Sequence, residues 1–356
     1  MNRSRAMTSK PAASQTPETI LIYSCGETIG DGLFKLPFLK DLRTRFPEAR
    51  ITWLAGLGPS MYAGPLAPVV APLLDEVITE AGIGDDMNHI LPWGTRPLDG
   101  RHFDLVIDTQ ITLRRTLSVR RIRHSRFISA CAGYWLSDAR PTAAQKPGRH
   151  LLKNLTLLLD LAAPERMAHA HKGPIDVVAP EHKALAAELL PDGPVYIGIA
   201  PGAGDKVKVW PEANFLAVAK EQVAKGRTPV FFAGPEEAAK VPEWRAAVPE
   251  ALFPEWNRTD DKPHLKGPVL AMALAGRLHA ALANDSGTGH MMATGGAPLV
   301  SLFSKHNPAK YAPSAVRLKI VDAKDYGGKD PELIPVGDVI GAMETMTERM
   351  VCGPSA

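Results

Sequence analysis

The sequence predicts an α/β protein made of two doubly wound domains, and three observations carry that prediction. Short β-branched runs alternate with stretches of helical periodicity, as parallel strand–helix units do. The runs fall into two series, separated by a weaker stretch rich in proline and glycine. The 356 residues also suit two domains of roughly 150 residues each.

The elements follow in order. Residues 1–17 combine Ser, Thr, Ala and Pro with basic residues and lack the apolar core of a signal peptide, so a disordered tail is expected. An N-terminal domain is expected over 18–180, with strands at 19–24 (TILIYS), 50–55 (RITWLA) and 103–109 (FDLVIDT). Apolar residues at helical spacing over 32–45 predict the first helix. The stretch 169–194, with Pro174, Pro180, Pro191 and Pro194, reads as the connection. A C-terminal domain is expected over 190–335, with strands at 195–200, 228–233, 278–284, 297–303 and 317–321. The segment 336–351 reads as one amphipathic C-terminal helix.

Composition narrows the class. At 45% hydrophobic and 22% charged the chain is ordinary globular protein, and a formal charge of +3 argues for no nucleic-acid partner. Cys25, Cys131 and Cys352 are an odd count without CxxC spacing, which fits reduced thiols in a cytoplasm rather than disulfides or zinc. The apolar stretch 57–74 holds prolines at 59, 65, 68 and 72, which argue against a transmembrane helix. A peripheral contact with a membrane stays open.

Four motifs offer chemistry. The turn Ser24-Cys25-Gly26-Glu27-Thr28-Ile29-Gly30-Asp31-Gly32 follows the first strand and brings backbone amides and a helix N-terminus close to a polar substrate. It is neither GxGxxG nor a P-loop. Spacing leaves Asp31 two roles, the cap of a helix starting at Gly32 or a carboxylate projecting into the ligand crevice. The second motif, Ala200-Pro201-Gly202-Ala203-Gly204-Asp205-Lys206-Val207-Lys208, places small residues and a lysine where diphosphate oxygens could lie, or forms a solvated loop. The third is Asn284-Asp285-Ser286-Gly287-Thr288-Gly289-His290, a strand-to-helix turn whose amides at Ser286, Gly287 and Thr288 would form an anion site. His290 suits either support of that turn or phosphate contact. The fourth is the basic run Arg114, Arg115, Arg120, Arg121, Arg123 and Arg126, a solvated face or a docking patch for an anionic acceptor.

Taken together the motifs resemble the bacterial heptosyltransferase family, ADP-heptose:lipopolysaccharide transferases among them. The residues carrying the likeness are Gly30-Asp31 with Leu36-Pro37 and Leu39, the run 103–108, Pro201-Gly202-Ala203 and Lys208-Val209-Trp210-Pro211. Ala233-Gly234-Pro235-Glu236-Glu237, Asn284 through His290, and Ala297-Pro298 with Phe303 complete the set. The resemblance implies two Rossmann-like domains facing across a cleft, the GT-B arrangement, with the donor nucleotide held by the second. It implies an inverting glycosyltransferase with Asp31 as base and Lys208 on the diphosphate. Asp285, Ser286 and Gly287 form its donor-phosphate turn, with Thr288 and His290 beside it; Ala203, Gly204 and Glu237 complete the donor side. Gly30, Arg114, Arg115 and Arg120 fall on the acceptor side. ADP-heptose is the first donor implied, the acceptor is a glycan or glycolipid, and no cofactor or metal is expected. It also implies a cytoplasmic enzyme with a possible peripheral contact at the inner membrane.

The chain departs from that pattern in two places. Asp285-Ser286-Gly287 stands where the family more often has Asp-Thr-Gly, which keeps the hydroxyl. After Phe303 the family continues Gly-Pro-Thr with an acid, and here Ser304-Lys305-His306-Asn307-Pro308 takes its place, so Lys305 or His306 would favour a different group. Two rival readings follow from the same plan: a nucleotide-sugar epimerase or hydrolase, turning over without acceptor, and a catalytically silent sugar-nucleotide-binding protein.

Overall fold

The computed structural model describes residues 16–166, 176–256, 258 and 262–351. The tail expected over 1–17 lies outside them except for its last two residues, and so does part of the connection expected over 169–194. The first half runs β1 (Thr19–Ser24), α1 (Ile29–Arg45), β2 (Arg50–Ala55), α2 (Ala67–Val70), β3 (Glu76–Ile78), β4 (His102–Asp108), α3 (Leu113–Arg120), β5 (Arg123–Ser129), α4 (Cys131–Tyr134) and α5 (Leu151–Ala162). The second runs α6 (Pro180–Leu189), β6 (Tyr196–Ala200), α7 (Glu212–Ala224), β7 (Thr228–Phe231), α8 (Val241–Ala247) and α9 (Pro268–Ala275). It closes with β8 (Ala280–Asn284), α10 (Gly287–Thr294), β9 (Leu299–Phe303), α11 (Pro308–Tyr311), β10 (Leu318–Asp322) and α12 (Val336–Val351).

The strands form two five-stranded sheets, ordered β3-β2-β1-β4-β5 and β10-β9-β8-β6-β7, and every pairing is parallel. Each sheet is covered on both faces, as all-parallel sheets are. One apolar cluster joins Ile20 and Ile22 to α1 and α5, and Leu21, Tyr23 and Val106 enter another on the opposite face. The second sheet repeats this with Ile197 and Ile199 on one side and Ala281 and Leu299 on the other. The halves are the α/β domains expected, and the order of strands decides where ligands go. The order in which successive strands are added reverses between β1 and β4 and between β6 and β8, and such switch points open a crevice beyond the carboxyl ends of the strands. Ser24 and Asp108 end the first pair of strands; Ala200 and Asn284 end the second.

Three expectations are corrected. The first helix begins at Ile29, not Gly32, because Thr28 is its N-cap. Strands β3 and β5 went unread, since both are sheet edges: β3 is three residues long, and β5 alternates exposed polar with partly buried positions before its apolar end. Much of the supposed connection is helix α6, which starts on Pro180 and packs Leu185 and Ala186 against Leu270 and Leu274 of α9. The C-terminal helix has the expected bounds, and its Val339, Ala342 and Met343 pack into the second sheet's core.

Candidate functional site

The first side of the site is the turn between β1 and α1. Gly26 takes φ +139, and a Cβ there would stand 2.9 Å from the Pro59 carbonyl oxygen, so only glycine fits. Glu27 is buried but fully partnered: its carboxylate accepts from Ser60 Oγ at 2.6 Å, Trp53 Nε1 at 3.1 Å and Lys35 Nζ at 3.1 Å. Lys35 also donates to Ser24 Oγ at 3.0 Å, so β1, β2 and α1 converge on one polar network. A satisfied network of this kind makes the turn rigid. Thr28 then caps α1: the Asp31 amide donates to Thr28 Oγ1 at 3.3 Å, and that hydroxyl donates back to Asp31 Oδ2 at 2.8 Å. Asp31 is therefore the third residue of the helix, not its cap, and it is exposed at the helix mouth.

The second side is built around the end of β8. Asn284 is fully buried; its Oδ1 accepts from the Trp210 amide at 3.1 Å and its Nδ2 donates to the Pro201 carbonyl at 2.7 Å. One side chain thus pins both ends of the loop that carries Ala203, Gly204 and Lys208. Lys208 Nζ donates to the Asp285 carbonyl at 3.2 Å and lies 3.5 Å from Asp285 Oδ2. Ser286 caps α10, its Oγ accepting from the Gly289 amide at 3.2 Å. Glu237 Oε2 accepts from the Gly234 amide at 2.8 Å, and a Cβ on Gly202 would stand 2.4 Å from its other carboxylate oxygen. Gly202 is therefore small because Glu237 lies over it. His306 Nδ1 stands 2.7 Å from Asp285 Oδ2.

The two sides meet. The N-termini of α1 and α10 abut at Gly30 and Gly287, where a Cβ on Gly30 would lie 3.4 Å from Gly287 Cα. His290 fills the space behind, edge-on to Phe34 of α1 at 6.0 Å between ring centres. Burial pushes its imidazole down to about 4, against the opposing pull of Asp285 and Asp31. His290 is thus neutral near pH 7, a packing group more than a cation. The turns that carry Asp31 and Ser286 are consequently brought together, although 254 positions separate Asp31 from Asp285.

The arginines do not act as one patch. Arg121 donates to the carbonyls of Asn88 and Gly94 at 3.0 and 2.9 Å, and Arg126 to those of Ala162 and Leu161 at 2.8 Å each, so both fasten neighbouring segments. Arg123 and Arg126 lie on β5 itself. Arg114 pairs with Asp85, and Arg120 donates to the Leu136 carbonyl. Arg115 donates to Cys25 Sγ at 3.1 Å, beside the turn that leads to Asp31. Burial pushes the Cys25 thiol up, while Arg115 pulls it the other way. Among the described residues no three His, Cys, Asp or Glu side chains are grouped to hold a metal ion, and no helix is long and apolar enough to cross a membrane.

Sequence reasoning missed the Glu27 network, the Asn284 clamp and the His306 contact. Only the first had a visible signal, a carboxylate inside a Gly-rich turn; the partners of all three come from other elements and loops of the fold.

Comparisons with known proteins show the family and the fold. A family model described as glycosyltransferase family 9 (heptosyltransferase) matches residues 95–332. No curated protein sequence matches the chain. Among solved structures, a family 9 glycosyl transferase from Veillonella parvula superposes with a TM-score of 0.68 at 21% identity, covering 93% of this chain and 97% of that one. E. coli ADP-heptose lps heptosyltransferase II gives 0.63 at 18% identity, covering 93% and 99%. E. coli heptosyltransferase WaaC with ADP gives 0.63 at 14%, covering 92% and 99%. The likeness therefore spans both domains and their GT-B arrangement.

Proposed function

Because the chain belongs to glycosyltransferase family 9, we propose that this glycosyltransferase inverts the anomeric carbon of a heptose-like sugar as it passes from a nucleoside diphosphate to a lipopolysaccharide-type glycan. The observation that carries the reading is the meeting of two helix N-termini at Gly30 and Gly287, with Asp31 on one and the Ser286 turn on the other.

The chemistry follows from that opposition. Asp31 takes the proton of the acceptor hydroxyl, whose oxygen attacks the anomeric carbon from the side opposite the leaving group. The bond to the diphosphate breaks, and its electron pair leaves with the nucleoside diphosphate. Lys208 and the amides of Ser286, Gly287 and Thr288 stabilise that growing charge, which α10's positive N-terminal end also favours. Ala203 and Gly204 leave room for the diphosphate, Glu237 lies near the nucleoside, and His290 supports the turn as a neutral side chain. Gly30 borders the acceptor, and Arg114, Arg115 and Arg120 face its anionic groups. No metal step is required, since lysine and amides supply the positive charge. ADP-heptose is the first donor to try, because the E. coli neighbour carries ADP.

The acceptor side also suits a cytoplasmic enzyme working at a membrane surface. Met87, Trp93, Ile111, Leu113 and Trp135 are exposed large apolar residues, and Leu113 opens α3 with Ile111 just before it. Arg121 ties the 88–94 loop to the end of that helix, and the Arg120 contact with the Leu136 carbonyl brings Trp135's loop to it. Tryptophans among arginines suit an interface with anionic lipid.

The experiment is incubation with ADP-, UDP- and GDP-sugars, with and without a glycolipid acceptor, followed by assay of released nucleoside diphosphate. Release that needs acceptor supports transfer; equal release without it points to a hydrolase, and none with any pair overturns the reading. Lys208→Ala should weaken nucleoside diphosphate binding by about 1.5–3 kcal/mol.

A further inference from the structure

We propose that His306 is a positioning residue for the donor site: it is the hydrogen-bond partner that holds the Asp285 carboxylate and so releases Lys208 to the diphosphate. The inference rests on the donor-site reading above and adds a residue to it.

Asp285 is buried where β8 ends, and two side chains meet the same carboxylate oxygen. Lys208 Nζ is 3.5 Å from Oδ2, and His306 Nδ1 is 2.7 Å from it. Lys208 thus has two competing tasks. To meet a diphosphate it must turn away from Asp285, and a buried carboxylate left without a partner is strongly disfavoured. A second donor on that carboxylate removes the conflict. His306 is closer than Lys208, and its main chain is held in place. Its carbonyl accepts from Lys324 Nζ at 2.8 Å, and Lys324 in turn pairs with Asp322 Oδ2 at 3.3 Å. Asn307, the next residue, caps α11 by accepting from the Ala309 amide at 3.0 Å, and the His306 ring packs on Tyr311 with centres 5.1 Å apart. The charged groups around the pair are therefore Lys208, Lys324 and Asp322, with His290 neutral behind the turn. His306 lies in the stretch 304–308, where the chain departs from the family pattern.

The test is calorimetric binding of ADP, UDP and GDP to the full chain and to His306→Ala, His306→Gln and His306→Lys, with transfer kinetics on each. The expected result is about five- to tenfold weaker diphosphate binding in His306→Ala. His306→Gln and His306→Lys, which each keep an N–H donor at that place, should recover most of it. Donor KM should rise more than kcat falls, and in an Asp285→Asn background His306→Ala should have no further effect. Equal diphosphate affinity in wild type and His306→Ala overturns the inference, as does a loss of that size in both the glutamine and lysine variants, which carries the test if the alanine variant does not fold. Wild type that binds none of the three diphosphates instead overturns the donor-site reading itself.

Discussion

Gly30 and Gly287 touch across the cleft: a Cβ on Gly30 would lie 3.4 Å from Gly287 Cα, and one on Gly287 would lie 3.6 Å from the Gly30 nitrogen. The closest approach of the two domains' helix ends is thus made by two residues without side chains. Gly30→Ala should be tolerated, since its contacts stay at the tight end of normal packing. Gly30→Leu should wedge α1 from α10, at about 1–3 kcal/mol of overpacking, and cut transfer at least tenfold. Urea unfolding and transfer assays on both variants check this; wild-type transfer in Gly30→Leu would show that the contact is dispensable.

Asp31 and Thr28 can be separated because each bonds the other. Asp31→Asn keeps a hydrogen-bonding side chain at the third helical position but removes the base, and transfer should drop about 10²- to 10⁴-fold. Thr28→Ala removes the cap, about 1 kcal/mol, and should spare most of the rate. If the two variants lose activity equally, the start of the helix matters and the carboxylate does not.

Asn284→Ala should be among the most damaging substitutions outside the apolar cores. It leaves the Trp210 amide and the Pro201 carbonyl buried without a partner, a loss of about 2–4 kcal/mol. Diphosphate affinity should fall with it, because the same loop carries Lys208. A shift in the urea midpoint too small to resolve would mean the loop is held elsewhere.

His290 predicts a limb in the acid stability profile. Burial lowers its folded-state value to about 4 from the ordinary 6.5, so the unfolded chain takes up a proton that the folded chain refuses. Its contribution is therefore complete above about pH 6.5 and is lost as the pH falls towards 4. Asp108 works in the opposite sense: burial raises it to about 6, so its contribution weakens as pH rises from 3.8 to 6. Comparing wild type with His290→Gln isolates the first effect, and the variant should lose less stability between pH 6.5 and 4. Parallel profiles for the two proteins would count against a buried neutral His290.

Much of the fold was legible because local chemistry enforced it. The central strands are continuous apolar runs, buried on both faces, and β1, β2 and α12 came out with the bounds read from the sequence. Edge strands escaped notice because half of their surface is polar, as in Arg123–Ser129. The start of α1 was misplaced because a threonine and an aspartate three residues apart both look like caps, and only the backbone shows which one is.

By itself the sequence determined two parallel α/β units and the turns, Gly26–Asp31 and Asn284–His290, that stand at the carboxyl ends of their strands. Periodicity and turn chemistry act over a few residues, so a linear reading reaches them. Only the tertiary structure decided that the two turns face each other, that Asn284 pins the Lys208 loop, that Arg121 and Arg126 are taken up by backbone carbonyls, and that His306 shares the Asp285 carboxylate with Lys208. Each of these depends on strand order and domain packing. These bring together groups tens to hundreds of residues apart, and no local propensity encodes such a distance.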